Sequence, residues 1–314
     1  MNAEEFKARL GAICREDLPR PGAGATERRH RRLMEVGRED LSLAKLAEAH
    51  WDAVAILAEA GRGAEPGVVY GVWASEIPGK ALHLERNARG FRVTGTKMFC
   101  SGAGLVDRAL ITVGLPDQRL VEVDLREHCG AIEIDGSSWK TEAFRLTQTG
   151  TVTFSAVELS PESMVGDSGW YVDRPGFWHG ACGPAACWAG GVAGLLDAAM
   201  LSSRGDVHTL AHLAAMHTNV WAMECFLDAA AREIDGSPEG GVTAEIRALE
   251  VRHLVEQACT DTLRRFARAY GPQPLSMNAE ISRRYQEADL YLRQCHGERD
   301  LEALARALRG RQAV

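Results

Sequence analysis

The sequence has no CxxC pair and no His/Cys cluster at zinc spacing, although it contains eight cysteines, at 14, 100, 129, 182, 187, 225, 259 and 295. In a chain of 314 residues that scatter excludes a disulfide framework and a structural metal, and it points to reduced thiols. No run approaches the ~18 uninterrupted apolar residues that a membrane span needs. The first residues, "MNAEEFKARLGAICRED", lack the apolar core of a secretory signal. The expectation is a soluble protein of the cytoplasm with no membrane partner. An excess of basic charge is missing too: 36 Lys and Arg stand against 43 Asp and Glu, a net charge of −7, so a nucleic-acid partner is not expected. The basic clusters "RRHRR" (28–32) and "RRFAR" (264–268) read as solvated helix faces. The glycine-rich turn of a dinucleotide-binding fold is absent as well.

What is present changes character twice along the chain. Residues 1–67 read as a short helical part. In "SLAKLAEAHWDAVAILAEAG" (42–61), Leu43, Leu46, Ala49, Val54, Leu57 and Ala58 fall near helical spacing and Gly61 is a stop. Residues 68–166 read as strands: "GFRVTGTKMF", "RALITV", "RLVEVDL" and "TVTFSAVEL" are short, β-branched and separated by turn residues. Strands that follow one another without helices imply an antiparallel sheet or barrel. Residues 176–310 read as a four-helix bundle with segments at 187–202, 210–233, 243–270 and 278–308. The first is apolar nearly all round, as a buried helix should be. Its Gly190, Gly191 and Gly194 would let another backbone or a flat ligand come close. The fold class is therefore α+β, with a barrel-like antiparallel middle domain between helical parts.

That order, together with "GREDLSLAKLAEAHWDAVAILAEAG" (37–61), "VVYGVWASEIPGKALHLERNARGFRVTGTKMFCSGAGLVDRALITV" (68–113), "GTVTFSAVELSPESMVG" (150–166) and the closing helix, resembles the acyl-CoA dehydrogenase family of flavoproteins. The resemblance implies FAD and a homodimer or homotetramer. In that family two β phrases run along the flavin ring. By position, Trp73, Ala74 and Ser75 answer to the first, and Phe99, Cys100 and Ser101 to the second. An aromatic face that packs on the ring and hydroxyls at its polar edge suit those roles. Read without the resemblance, "MFCSGAG" is a strand end and turn with Phe99 and Cys100 buried. Arg204 and His208 stand where the family holds the FAD pyrophosphate and adenine of a neighbouring subunit, and a loop capped by Asp206 before a helix accounts for the same residues.

The family's dehydrogenases take the α-proton of an acyl thioester with a carboxylate, whose burial raises its pKa to suit the task. In the run "LYLRQCHGERD" (290–300) that position holds Gln294, which cannot act as a base. The alternative position, on the first bundle helix, falls near Pro184, and the loop that helps hold acyl-CoA is shortened to "SEIPGKALHLE". His179 and His296 are the candidate bases, since histidine titrates near working pH, and Cys295 is a candidate nucleophile. Three functions stay open at this level. One is an FAD-dependent oxidoreductase on an acyl thioester or related small molecule. Another is a non-catalytic subunit in a hetero-oligomer with a related dehydrogenase-like chain. The last is a flavin monooxygenase on the same scaffold, which needs no carboxylate base.

Overall fold

The computed structural model describes residues 2–77, 79–114 and 118–312. Three helices open the chain: α1 (Ala3–Ile13), α2 (Thr26–Glu39) and α3 (Leu41–Glu59). The strands follow as β1 (Tyr70–Trp73), β2 (His83–Asn87), β3 (Gly90–Cys100), β4 (Arg108–Val113), β5 (Arg119–Asp124), β6 (Ile132–Asp135), β7 (Gly150–Leu159) and β8 (Met164–Val165). After the short α4 (Trp170–Asp173) and α5 (Gly176–Gly180) come α6 (Cys182–Met200), α7 (Val207–Gly236), α8 (Val242–Tyr270), α9 (Pro272–Met277), α10 (Ala279–Leu292) and α11 (Glu298–Gln312). The chain forms two compact units: a β unit of Met1–Asp17 with Ala49–Phe177, and a helical unit of Leu18–Glu48 with Trp178–Val314. None of the described helices is long and apolar enough to cross a membrane.

In the β unit the strands make two four-stranded sheets, ordered β1-β4-β5-β8 and β2-β3-β7-β6. The described strands do not close into the expected barrel. β1 also departs from the antiparallel expectation, running parallel to β4 with Trp73 opposite Ile111. Strand alternation explains the layering. In β4, Ala109, Ile111 and Val113 enter the core shared with Val93, Val152 and Phe154 of the other sheet. Leu110 points the other way, to Ile56 and Leu57 of α3. Both faces of β4 and β5 are thus covered, and this is why their sequences read as nearly continuous apolar runs.

The helical unit is larger than the expected four-helix bundle, because α2 enters it from the N-terminal part. α6 carries one charge, Asp197, and is almost entirely buried, as its composition predicts. The glycines of α6 admit a backbone. A Cβ on Gly190 would stand 2.9 Å from the Arg38 amide nitrogen and 3.0 Å from Gly37 Cα, and would overlap the Met34 carbonyl, all on α2. Gly190→Ala is therefore expected to destabilise the protein by about 1–3 kcal/mol, since main chain must give way. Thermal melts check this against Gly236→Ala, where an added Cβ meets nothing within 4 Å and the melting temperature should hold.

Two further expectations are corrected here. "RRHRR" is not a wholly solvated face: Arg28 and Arg31 are exposed, but Arg29 and His30 are buried. Arg29 donates to Pro19 O and the His30 ring meets Leu227 O at 3.0 Å. The expected last helix is broken. α10 stops at Leu292, Gly297 takes φ 56°, and α11 restarts at Glu298 with Asp300 accepting from the His296 amide. Gly297 stands directly before α11, and a glycine takes this left-handed turn into the new helix at no steric cost.

Candidate functional site

In the β unit the two expected flavin phrases come together. The Trp73 indole N–H donates to Ser101 O at 3.0 Å, which joins the end of β1 to the end of β3. Trp73 itself is only 2% exposed and sits in the sheet core, so its ring is not available to stack on a ligand. The face presented at this edge belongs to Phe99. The β3–β7 register slips between Lys97 and Cys100, and Phe99 adopts φ 58° within the slip. A bulge re-aims a side chain, and a left-handed non-glycine residue is uncommon enough to ask what it serves. Here it leaves the phenyl ring 56% exposed. Ala74 is half-buried, Ser75 is exposed and Ser101 half-buried.

Beneath this edge lies a charge that the sequence reading did not single out. Lys97 is 1% exposed, and its ammonium donates to Glu76 Oε1 at 2.7 Å and to the Thr112 carbonyl and hydroxyl at 3.0 and 2.7 Å. Burial pushes Lys97 below the ordinary lysine range, while its bond to Glu76 opposes the shift. Glu76 follows the first phrase directly, so Lys97 ties that phrase to β3 and β4. Cys100 is buried, donates to Lys97 O, and is pushed up to about 12 by burial, so it is no reactive thiolate.

In the helical unit the residues expected at the base position lie in the 293–297 turn. Gln294 and His296 are exposed. The His296 ring meets Asp300 Oδ1 at 3.3 Å, and Cys295 is pushed up by burial, with no sign of a stabilised thiolate. His179 is 2% exposed and its ring meets Pro238 O at 3.1 Å, the setting of a structural histidine. Arg204 and His208 are exposed, and Asp206 caps α7 through the His208 and Thr209 amides, as the loop-and-cap reading expects. Pro184 lies in the first turn of α6.

What holds the turn is Arg252 of α8. Its guanidinium donates to Gln294 O at 2.8 Å and to Ala181 O at 3.0 Å, and it lies 4.9 Å over the Trp188 ring. Trp188 meets Tyr291 edge to face at 6.1 Å, and the Lys45 ammonium stands 4.7 Å over the Tyr291 ring. Sequence reasoning missed Lys45 and Arg252. The one available signal was Lys45 and Glu48, spaced i, i+3 on an otherwise apolar stretch of α3.

No family model and no curated protein matches the sequence. Solved structures do match. Dibenzothiophene monooxygenase of Paenibacillus sp. A11-2 superposes with a TM-score of 0.76 at 16% identity, over 96% of this chain and 95% of that one. The chain has the acyl-CoA dehydrogenase fold. Others with this fold are 3-HSA hydroxylase of Rhodococcus sp. RHA1 (TM-score 0.77, 14% identity, 98% and 93% covered) and nitrososynthase of Micromonospora carbonacea var. africana (0.73, 15%, 92% and 83%). The Paenibacillus enzyme is also known in complex with FMN and indole. The fold accounts for the sheet pair followed by long helices, and the edge at which a flavin is expected from the sequence carries residues whose chemistry fits one. Phe99 offers an apolar face, and the Ser75 and Ser101 hydroxyls take no hydrogen bond among the described residues.

Proposed function

We propose that the protein is a flavin-dependent oxidoreductase of the monooxygenase kind, acting on a small molecule. The observation that carries this reading is the base position: Gln294 lies exposed in a turn, where acyl thioester dehydrogenation would need a buried carboxylate. Likeness over nearly the whole length of a monooxygenase and a hydroxylase supports it, though scaffold alone does not decide chemistry.

Phe99 would pack on the flavin ring and Ser75 and Ser101 would bond its polar edge, while Arg204 and His208 are the candidates for the phosphate of a flavin held by a neighbouring copy of the chain. Reduced flavin would supply two electrons to dioxygen, with one oxygen atom going to the substrate and the other leaving as water. FMN is favoured over the FAD of the sequence reading because a neighbouring structure carries FMN. A homodimer or homotetramer is part of the same reading, supported by the exposed Leu201, Val207 and Trp221 on and before α7.

Titration with FMN and with FAD, followed by oxygen uptake with reduced flavin, tests the proposal. Expected are a perturbed flavin spectrum and oxygen consumption that rises with substrate. Bleaching of oxidised flavin by acyl thioesters would return the reading to dehydrogenation. No uptake of either flavin would leave the non-catalytic partner subunit.

A further inference from the structure

Where β3 runs out, a strained turn continues its pairing with β7. Cys100 is the partner of Gly150, and beyond them the Gly102 amide donates to Thr147 O at 2.9 Å. The run Thr147, Gln148, Thr149 therefore lies opposite Ser101 and Gly102 at this end of the sheet. Thr147 and Thr149 are buried; their hydroxyls meet at 2.8 Å, and Thr147 donates to Phe144 O. Between these two inward threonines Gln148 is turned outward, with φ 46° and ψ 42° at the end of a 3-10 turn (Arg145–Thr147). Gln148 is exposed, and its carboxamide has no hydrogen-bond partner among the described residues. The amide oxygen rests against Gly104, where a Cβ would overlap it.

A turn that ends in the left-handed region is a place for glycine or asparagine. Glutamine there holds its backbone at a cost in free energy, and such outliers gather where the side chain has a use. Among the described residues four non-glycines take positive φ: Phe99, Phe144, Gln148 and Ala156. Phe144 is buried and Ala156 carries only a methyl group. Phe99 and Gln148 present an exposed phenyl ring and an exposed amide at the same end of the β3–β7 pair. An apolar ring and an unfilled amide, each held out by a strained backbone, suit one flat ligand with a polar edge.

We infer that the Gln148 carboxamide bonds the imide edge of the flavin, its N3–H together with one neighbouring carbonyl. Oxidised isoalloxazine offers a single ring N–H, at N3, between the carbonyls at C2 and C4. A primary amide matches that pattern at two points: its oxygen accepts from N3–H, and its NH2 group donates to the adjacent carbonyl. The hydroxyls of Ser75 and Ser101 each make one bond at a time as donor, so they serve the remaining acceptors of the ring and leave the imide to Gln148. Gly104 gives the amide its resting place, since only a side-chain end and no main chain would meet an added Cβ there. The inference rests on the flavin reading of this edge and adds to it a positioning residue from a segment outside both sequence phrases.

The test compares the binding of FMN and of 3-methyl-FMN to the whole protein by flavin fluorescence, with thermal melts of each variant in the absence of flavin. Wild type should bind the methylated flavin about tenfold more weakly, because the N3 donor is gone and the amide oxygen loses its partner. Gln148→Gly should bind FMN about tenfold more weakly than wild type and should no longer tell the two flavins apart. Its melting temperature should rise by about 2 °C, since glycine takes the left-handed turn freely. A residue that only shaped the turn would not give higher stability with lower affinity. Should Gln148→Gly fail to fold, Gly104→Ala decides: it pushes the amide aside and should weaken FMN binding at an unchanged melting temperature. Equal binding of the two flavins by wild type, discrimination that survives in Gln148→Gly, or unchanged FMN affinity in either variant overturns the inference and leaves the flavin reading standing. No flavin uptake by wild type overturns both.

Discussion

Arg283→Met is expected to destabilise the helical unit by about 3–5 kcal/mol, the usual cost of breaking a buried ion pair from one side. Arg283 donates to both Glu287 oxygens, at 3.1 and 3.0 Å, and to Asp40 Oδ2 at 2.9 Å. The two carboxylates are 1% and 4% exposed, so the variant would leave two negative charges buried together without their guanidinium. Ser42 donates to Glu287, and Asp40 caps the start of α3 through the Leu43 amide, so the damage reaches the α2–α3 corner.

The same variant should show an unusual pH dependence. Burial raises Glu287 above its ordinary 4.5, with Arg283 and Ser42 opposing. A carboxylate raised in the folded state binds its proton more readily there than in the unfolded chain, so stability falls as pH rises between 4.5 and the folded value. Loss of Arg283 extends that window upward. Urea titrations at about pH 8 and about pH 5 should therefore give a gap between variant and wild type that narrows at the lower pH. Adding Glu287→Gln to the variant should recover part of the loss at the higher pH. A gap that is constant with pH, or a double variant no better than the single one, would rule the account out.

Lys97→Met is expected to cost the β unit about 3 kcal/mol, the lower end of the same range. Glu76 is 27% exposed and regains water when its partner goes, while the buried Thr112 carbonyl and hydroxyl lose a donor and regain nothing. Glu76→Gln should be milder, since an amide oxygen still accepts from the ammonium. Because Lys97 holds the segment after Trp73 against β3 and β4, both variants should also weaken flavin uptake, which the titration already described would read. Stability that drops with unchanged uptake would mean that Lys97 serves the sheet and not the edge.

The sequence made the local elements readable and left the long-range ones obscure. β4, β5 and β7 declared themselves by β-branched residues, α6 by its lack of charge, and the start of α7 by Asp206. The parallel pairing of β1 with β4 joins segments with two strands between them, and no local pattern announces it. Trp73 shows the limit at the site: a large aromatic residue suits a ligand face or a core equally well, and only the packing of two sheets decided for the core. Gly297 was a readable turn signal inside an otherwise helical run, and that signal lost to the apolar spacing around it. Lys45 stayed hidden because its meaning comes from Trp188 and Tyr291, which reach it from other helices.

The glycine contact between α2 and α6 also sets an order of events during synthesis. Gly37 and Gly190 are separated by the whole 49–177 segment of the β unit, which is complete before α6 is made. Leu33, Met34 and Val36 of α2 are buried in the finished fold, and α2 packs there against α6 and α7, which are made after it. α6 packs on α2 and also on the later α7, α8 and α10, so the helical unit closes late and partly through a contact of long sequence separation, the slow kind to form. A mutation that loosens this contact would then lengthen the exposure of a bare apolar helix and show first as aggregation of newly made chains, before any loss in the finished protein.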